Sequence, residues 1–126
     1  MNNNRKVYFN DKFVDEKDAR LSIYDSALMF GDMVFEMTRS FNKKQFMLKE
    51  HIKRLFYGIK ILRIPLNKNE KEIEKACYET MEQNSNAFND DDEHRLMIDV
   101  SRGILGIYHG IQDINKGPNL IIADFP

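Results

Sequence analysis

Thiol chemistry is nearly absent from this sequence: Cys77 is the lone cysteine in 126 residues, so no internal disulfide can form. No apolar N-terminal run reads as a signal peptide, and none is long enough to cross a membrane as a helix, so no membrane partner is expected. These absences point to a reducing, cytoplasmic setting. An excess of either charge is missing as well. Nineteen basic against twenty acidic residues leave a net charge of -1, too little to draw in a polyanion. Nucleic acid is therefore not expected as a partner, and any anion site must be local. The three histidines, His51, His94 and His109, show no metal-ligand spacing with Cys77. The acidic run Asn89-Asp90-Asp91-Asp92-Glu93 has no calcium-loop register, so no metal is expected. Also lacking are a G-x-S-x-G nucleophile motif and the glycine-rich strand-to-helix turn of a dinucleotide site.

What is present is an ordinary globular composition, 42% apolar and 31% charged, with no repeat or linker. That is enough for one core and too little for two, so residues 1–126 are expected to form a single domain. Val7-Tyr8-Phe9, Asn10-Asp11 and Phe13-Val14 read as a hairpin, because Asx residues tolerate the backbone of such turns. Alternation from Val34 to Phe41 puts Phe35, Met37, Arg39 and Phe41 on one strand face, and Val34, Glu36, Thr38 and Ser40 on the other. The turn Asn42-Lys43-Lys44 returns the chain to Gln45-Phe46-Met47-Leu48.

The period then changes. Leu48, Ile52, Leu55, Phe56, Ile59 and Leu62 form an apolar stripe at helical spacing, ended by Pro65. Asn67 with Glu70 reads as the N-cap pair of a second helix whose inner face carries Ile73, Ala76, Cys77 and Met81. Leu96, Ile98 and Val100 alternate with Arg95, Met97, Asp99 and Ser101 as a further strand, while Leu120-Ile121-Ile122-Ala123 reads as a strand covered on both faces. Strands, two helices, then strands predict an α+β fold: a two-layer α/β sandwich with a largely antiparallel sheet and both helices packed on one face.

Two segments carry a more specific message: Met29-Phe30-Gly31-Asp32-Met33-Val34-Phe35-Glu36 and Glu50-His51-Ile52-Lys53-Arg54-Leu55. In this order and spacing they resemble the N-terminal domain of the class IV aminotransferases. These are pyridoxal 5'-phosphate (PLP) enzymes that include branched-chain and D-amino-acid transaminases and aminodeoxychorismate lyase. The resemblance spans nearly the whole chain. It implies PLP as cofactor, amino acids and 2-oxo acids as substrates, with branched-chain ones first, and a homo-oligomer. It also places the Schiff-base lysine in a C-terminal domain beyond residue 126. No catalytic residue is then expected in this chain, which alone would be inactive.

The resemblance assigns Arg54 to the cofactor phosphate, whose roughly two negative charges a planar guanidinium can hold through two oxygens at once. It assigns Phe30, Phe35 and Arg95 to the substrate wall, with Gly31 letting the backbone pass close to the site. Phe30 stands where tyrosine is common in branched-chain enzymes, and Met33 where glycine is frequent. Arg102, in Ser101-Arg102-Gly103, resembles a structural arginine. His109 matches a histidine of a D-amino-acid carboxylate trap, but the arginine partner of that trap falls at Ile107, which disfavours D-amino-acid specificity. Each residue also has a plainer reading. Arg54 could pair with Glu50 on its own helix, the aromatics could be core, and Arg95 could pair with Asp92 or Glu93. Alternatives for the whole are a D-amino-acid transaminase, an aminodeoxychorismate lyase, or a non-catalytic binding domain of the same fold.

Overall fold

The computed structural model describes residues 4–110 and 116–126. Lys6–Phe9 (β1) and Lys12–Asp15 (β2) form the expected hairpin, closed by Asn10 and Asp11 at φ 48° and 70°. These are the left-handed values that Asx residues accept in tight turns. Ser26–Phe30 (α1) is a single-turn helix that the sequence pattern does not reveal. The Asp25 carboxylate accepts from the Ala27 N–H at 2.8 Å to start it, and Gly31 stops it at φ 67°. There follow Met33–Phe41 (β3), Lys44–Gln45 (β4), Leu48–Leu62 (α2), Glu70–Gln83 (α3), Arg95–Ser101 (β5) and Asn119–Phe125 (β6). Among the described residues the strands form one sheet in the order β2-β1-β6-β5-β3-β4, with every pairing antiparallel. Helices α2 and α3 pack on one face of it, which is the α+β two-layer sandwich expected.

The core lies between that face and the helices. Leu48, Ile52, Leu55 and Ile59 of α2 and Ile73, Ala76 and Cys77 of α3 close over Leu96, Ile98, Val100, Leu120 and Ile122. Full burial of each large aliphatic side chain is worth about 1.5–3 kcal/mol, so this cluster holds the two layers together. The helix can lie close to the sheet because residue 58 is glycine: a Cβ there would stand 2.6 Å from Cγ1 of Val34.

Three local expectations are corrected. Helix α3 is capped by Asn69, not Asn67: the Asn69 side chain accepts from the Glu72 N–H at 2.8 Å, and the Asn69 N–H donates to the Glu72 carboxylate at 3.0 Å. Helix α2 ends at Arg63 in a left-handed C-cap of φ 55°, before Pro65, and Leu62 is exposed as the chain turns away. Ile73, Ala76 and Cys77 line the inner face of α3 as expected and Met81 packs half-buried against the same core, with Thr80 buried beside them. In β6, Leu120 and Ile122 are buried but Ile121 and Ala123 only half so, because α2 and α3 cover the sheet face that Leu120 and Ile122 share. No helix among the described residues is long and apolar enough to cross a membrane.

Candidate functional site

Strand alternation decides where the site begins. Of β3, Glu36, Thr38 and Ser40 turn toward the helices and are buried, while Phe35, Met37, Arg39 and Phe41 face outward. An acid under a helix needs a partner, since burying a carboxylate unpaired is costly. The first turns of α2 supply two. His51 and Arg54, three residues apart on one helix face, both reach Glu36, which is only 6% exposed. Arg54 donates from Nε to Oε2 at 2.8 Å and from Nη2 to Oε1 at 2.7 Å, a bidentate fork. Arg54 therefore pairs across to β3, not along the helix to Glu50.

The Arg54 hydrogen bonds hold the Glu36 carboxyl below its ordinary value, and Glu36 in turn holds the guanidinium above its own. An ionised carboxylate only accepts, so the 2.8 Å contact with His51 has Nδ1–H as donor. The Arg54 side chain nonetheless remains 72% exposed. With Nε and one Nη2 proton committed to Glu36, Nη1 and the second Nη2 proton have no protein partner among the described residues and are available to a ligand. They adjoin a cleft of about 350 Å³ lined by Met47, Glu50, His51 and Arg54. Fixed, charged donors beside open space suit a phosphate monoester or similar oxyanion. Among the described residues no group of His, Cys, Asp and Glu could hold a metal ion.

The outward face of β3 has a different character. Phe35 is 60% exposed there and Phe30, at the end of α1, is 66% exposed, so neither aromatic is core. Residues 33–39 pair with β5 on one side, and among the described residues β4 pairs with the other side only at Ser40 and Phe41. Glu36 with Arg54, and Phe35, thus lie on opposite faces of one strand, joined around an edge left unpaired among the described residues. Asp99, on β5, stands across from Phe35 of β3 and from Ile121 of β6. It has no hydrogen-bond partner among the described residues, and burial pushes its carboxyl up to about 6.

Arg95 shares the outward face but not the neighbourhood. It is in register with Arg39, four residues along from the Phe35 pairing, or about 13 Å at strand rise. Its guanidinium lies 5.0 Å from the Phe125 ring centroid and donates to the Pro126 carbonyl. Neither acid of its plainer reading pairs with it. Glu93 instead accepts from Ser40 and from the backbone of Asn42 and Lys43, whose turn it fixes. Arg102 is structural, as expected: it donates to Asp32 and to the carbonyls of Leu62 and Arg63 that end α2. His109 is engaged with the Ile104 carbonyl at 2.8 Å.

Sequence reasoning missed Glu36, His51, Asp25 and Asp99. Glu36 left a trace, being an acid on the strand face that alternation turned inward. Asp25 left none: its carboxylate caps α1 and accepts from Ser101 and Asn119 at 3.1 and 2.8 Å, across 76 and 94 residues of chain.

Comparison with known proteins gives the family of the chain. A Methanocaldococcus jannaschii protein, provisionally named a branched-chain-amino-acid aminotransferase, is 45% identical over 80 residues, covering 64% of this chain and 28% of that relative. The aminodeoxychorismate lyase of Bacillus subtilis is 32% identical over 98 residues, covering 78% of this chain and 32% of the relative. The chain thus spans less than a third of the length of these relatives. The crystal structure of the Escherichia coli branched-chain amino acid aminotransferase superposes with a TM-score of 0.79 at 26% identity, over 98% of this chain and 40% of that one. Residues 33–124, from the first residue of β3 nearly to the end of β6, match the model of amino-transferase class IV, and the chain belongs to that family.

Proposed function

We propose that this chain forms the phosphate-anchoring and substrate-wall portion of a PLP-dependent transaminase acting on branched-chain amino acids and their 2-oxo acids. One observation carries the reading: the Arg54 guanidinium is gripped along one edge by Glu36 and offers its other edge to an open cleft. Bound there by its phosphate, PLP supplies the electron sink of the reaction. This chain's own residues bind and orient. Arg54 holds the phosphate on the helix side of β3, and Phe30 and Phe35 present apolar surface to an aliphatic substrate side chain on the other. Arg95, at the far end of that face, serves the substrate wall only if substrate or a closing segment extends along the sheet.

In this reading the lysine that bonds PLP lies outside residues 1–126. No lysine of the chain is fully buried, and the half-buried pair, Lys6 and Lys68, are bound to Asp15 and Asp11. None has the desolvated pocket that activates a lysine for this chemistry. The branched-chain preference is supported by the 45% identical relative and by the structural neighbour from E. coli.

The test is PLP binding to the purified chain, with borohydride reduction and mass spectrometry. Saturable binding that inorganic phosphate competes away and R54A abolishes, with no cofactor fixed to a lysine, is expected. Undiminished binding in R54A, or a stoichiometric adduct on one lysine, overturns the proposal.

A further inference from the structure

The Glu36 carboxylate sits where simple electrostatics would not put it. An anion site gains nothing from a buried carboxylate beside its cation, because that charge opposes the ligand's own. Yet Glu36 takes two of the Arg54 donors at 2.7 and 2.8 Å, and His51 fixes Oε1 of the same carboxylate at 2.8 Å. The carboxylate itself cannot swing, being only 6% exposed between β3 and α2. A long arginine on an exposed helix face otherwise samples many rotamers, and each must be surrendered when a ligand binds.

We propose that Glu36, held by His51, is the positioning residue of an oxyanion site: it locks the Arg54 guanidinium so that its free edge faces the cleft beside His51 and Glu50, ready for a dianionic phosphate. The inference rests on the reading of Arg54 as a phosphate anchor. Arg54 touches the ligand, and Glu36 acts through Arg54. Lysine could not replace Arg54 here, since a point charge cannot be gripped along one edge while presenting another.

Positioning and charge make opposite predictions for E36Q, so the sign of the effect decides. The experiment titrates inorganic phosphate into the full 126-residue chain and follows the Arg54 Nε–H signal by nitrogen-edited NMR. With positioning dominant, E36Q binds phosphate about tenfold more weakly although the site has lost a negative charge, and the Arg54 signal broadens in the free protein. Phosphate binding in E36Q equal to or tighter than in the unmodified chain, with R54A weakened, overturns the positioning role and leaves the anchor standing. Unchanged binding in R54A overturns the anchor itself. Should circular dichroism find E36Q unfolded, R54K carries the test. It keeps the charge and removes the fork, so it must bind about as weakly as R54A, and phosphate binding by R54K close to that of the unmodified chain overturns the inference.

Discussion

Glu36 and Asp99 sit on adjacent strands and opposite faces of the sheet, and their carboxyl groups respond in opposite directions. Hydrogen bonds from Arg54 hold Glu36 below its ordinary 4.5, so the stability it contributes is present above that value and is lost as pH falls through its lowered folded value. Asp99 has no such partner, and burial raises it from 3.8 to about 6. Here the sign reverses. The folded state keeps a proton that the unfolded chain has released, so stability falls as pH rises from about 4 to about 6 and the penalty persists above. Asp99→Asn removes it. We expect the variant to be more stable by on the order of 1 to 2 kcal/mol at about pH 7.5, after allowance for partial exposure, and by nothing measurable at about pH 4. Urea unfolding at the two pH values checks this, and an equal effect at both would mean that Asp99 is solvated. Asp99 also bears on substrate choice, because a carboxyl across from Phe35 is an odd wall for a purely aliphatic side chain.

At the scale of elements, the two candidate caps of α3 separate what sequence reveals from what it hides. Asn67 precedes Glu70 and Asn69 precedes Glu72 by the same three residues, so both pairs meet the local rule. The path out of α2 through Arg63 and Pro65 decides between them, and Asn69 makes both capping bonds. Asn69→Ala should therefore cost about 1 kcal/mol in chemical unfolding and Asn67→Ala less than about 0.5, whereas the reverse order would show that the helix starts earlier in solution. Elements set by neighbouring residues were legible in the same way: the Asn10-Asp11 hairpin, the α2 stripe, and the alternation of β3 and β5. Features set by distant partners were not. The motif containing Phe35, Glu36 and Arg54 gave the family and the direction of the site. That Arg54 would turn to Glu36 and not to Glu50 depends on α2 docking across β3, which no local period encodes. Helix α1 stayed hidden because five residues are too few for a period, and Ile121 misled because its covered look came from composition alone.

The whole molecule has one finished face and one unfinished one. Helices cover the sheet on the Glu36 side, while Phe35, Met37 and Phe41 stand exposed on the other, with Ile121 and Ala123 half-covered between strands. Ile23, Leu28 and Phe30 add apolar surface around α1. Isolated exposed hydrophobics are normal, but Phe35 and Met37 adjoin on one sheet face, with Phe41 beyond Arg39, and apolar surface gathered on one face in this way favours association. Charge offers little resistance, since a net -1 gives two copies almost no long-range repulsion. The chain should therefore self-associate, forming dimers or larger species whose fraction grows with concentration in sedimentation velocity. Met37→Lys sets a charge in the middle of the exposed face and leaves the Glu36 side untouched. It should shift the population toward monomer while phosphate binding at Arg54 stays as it was. If Met37→Lys associates as strongly as the unmodified chain, the contact lies elsewhere, and the α1 surface becomes the next place to substitute. If the unmodified chain stays monomeric at high concentration, the open face is better solvated than its aromatics suggest, and the apolar wall offered to a substrate there would be correspondingly weaker.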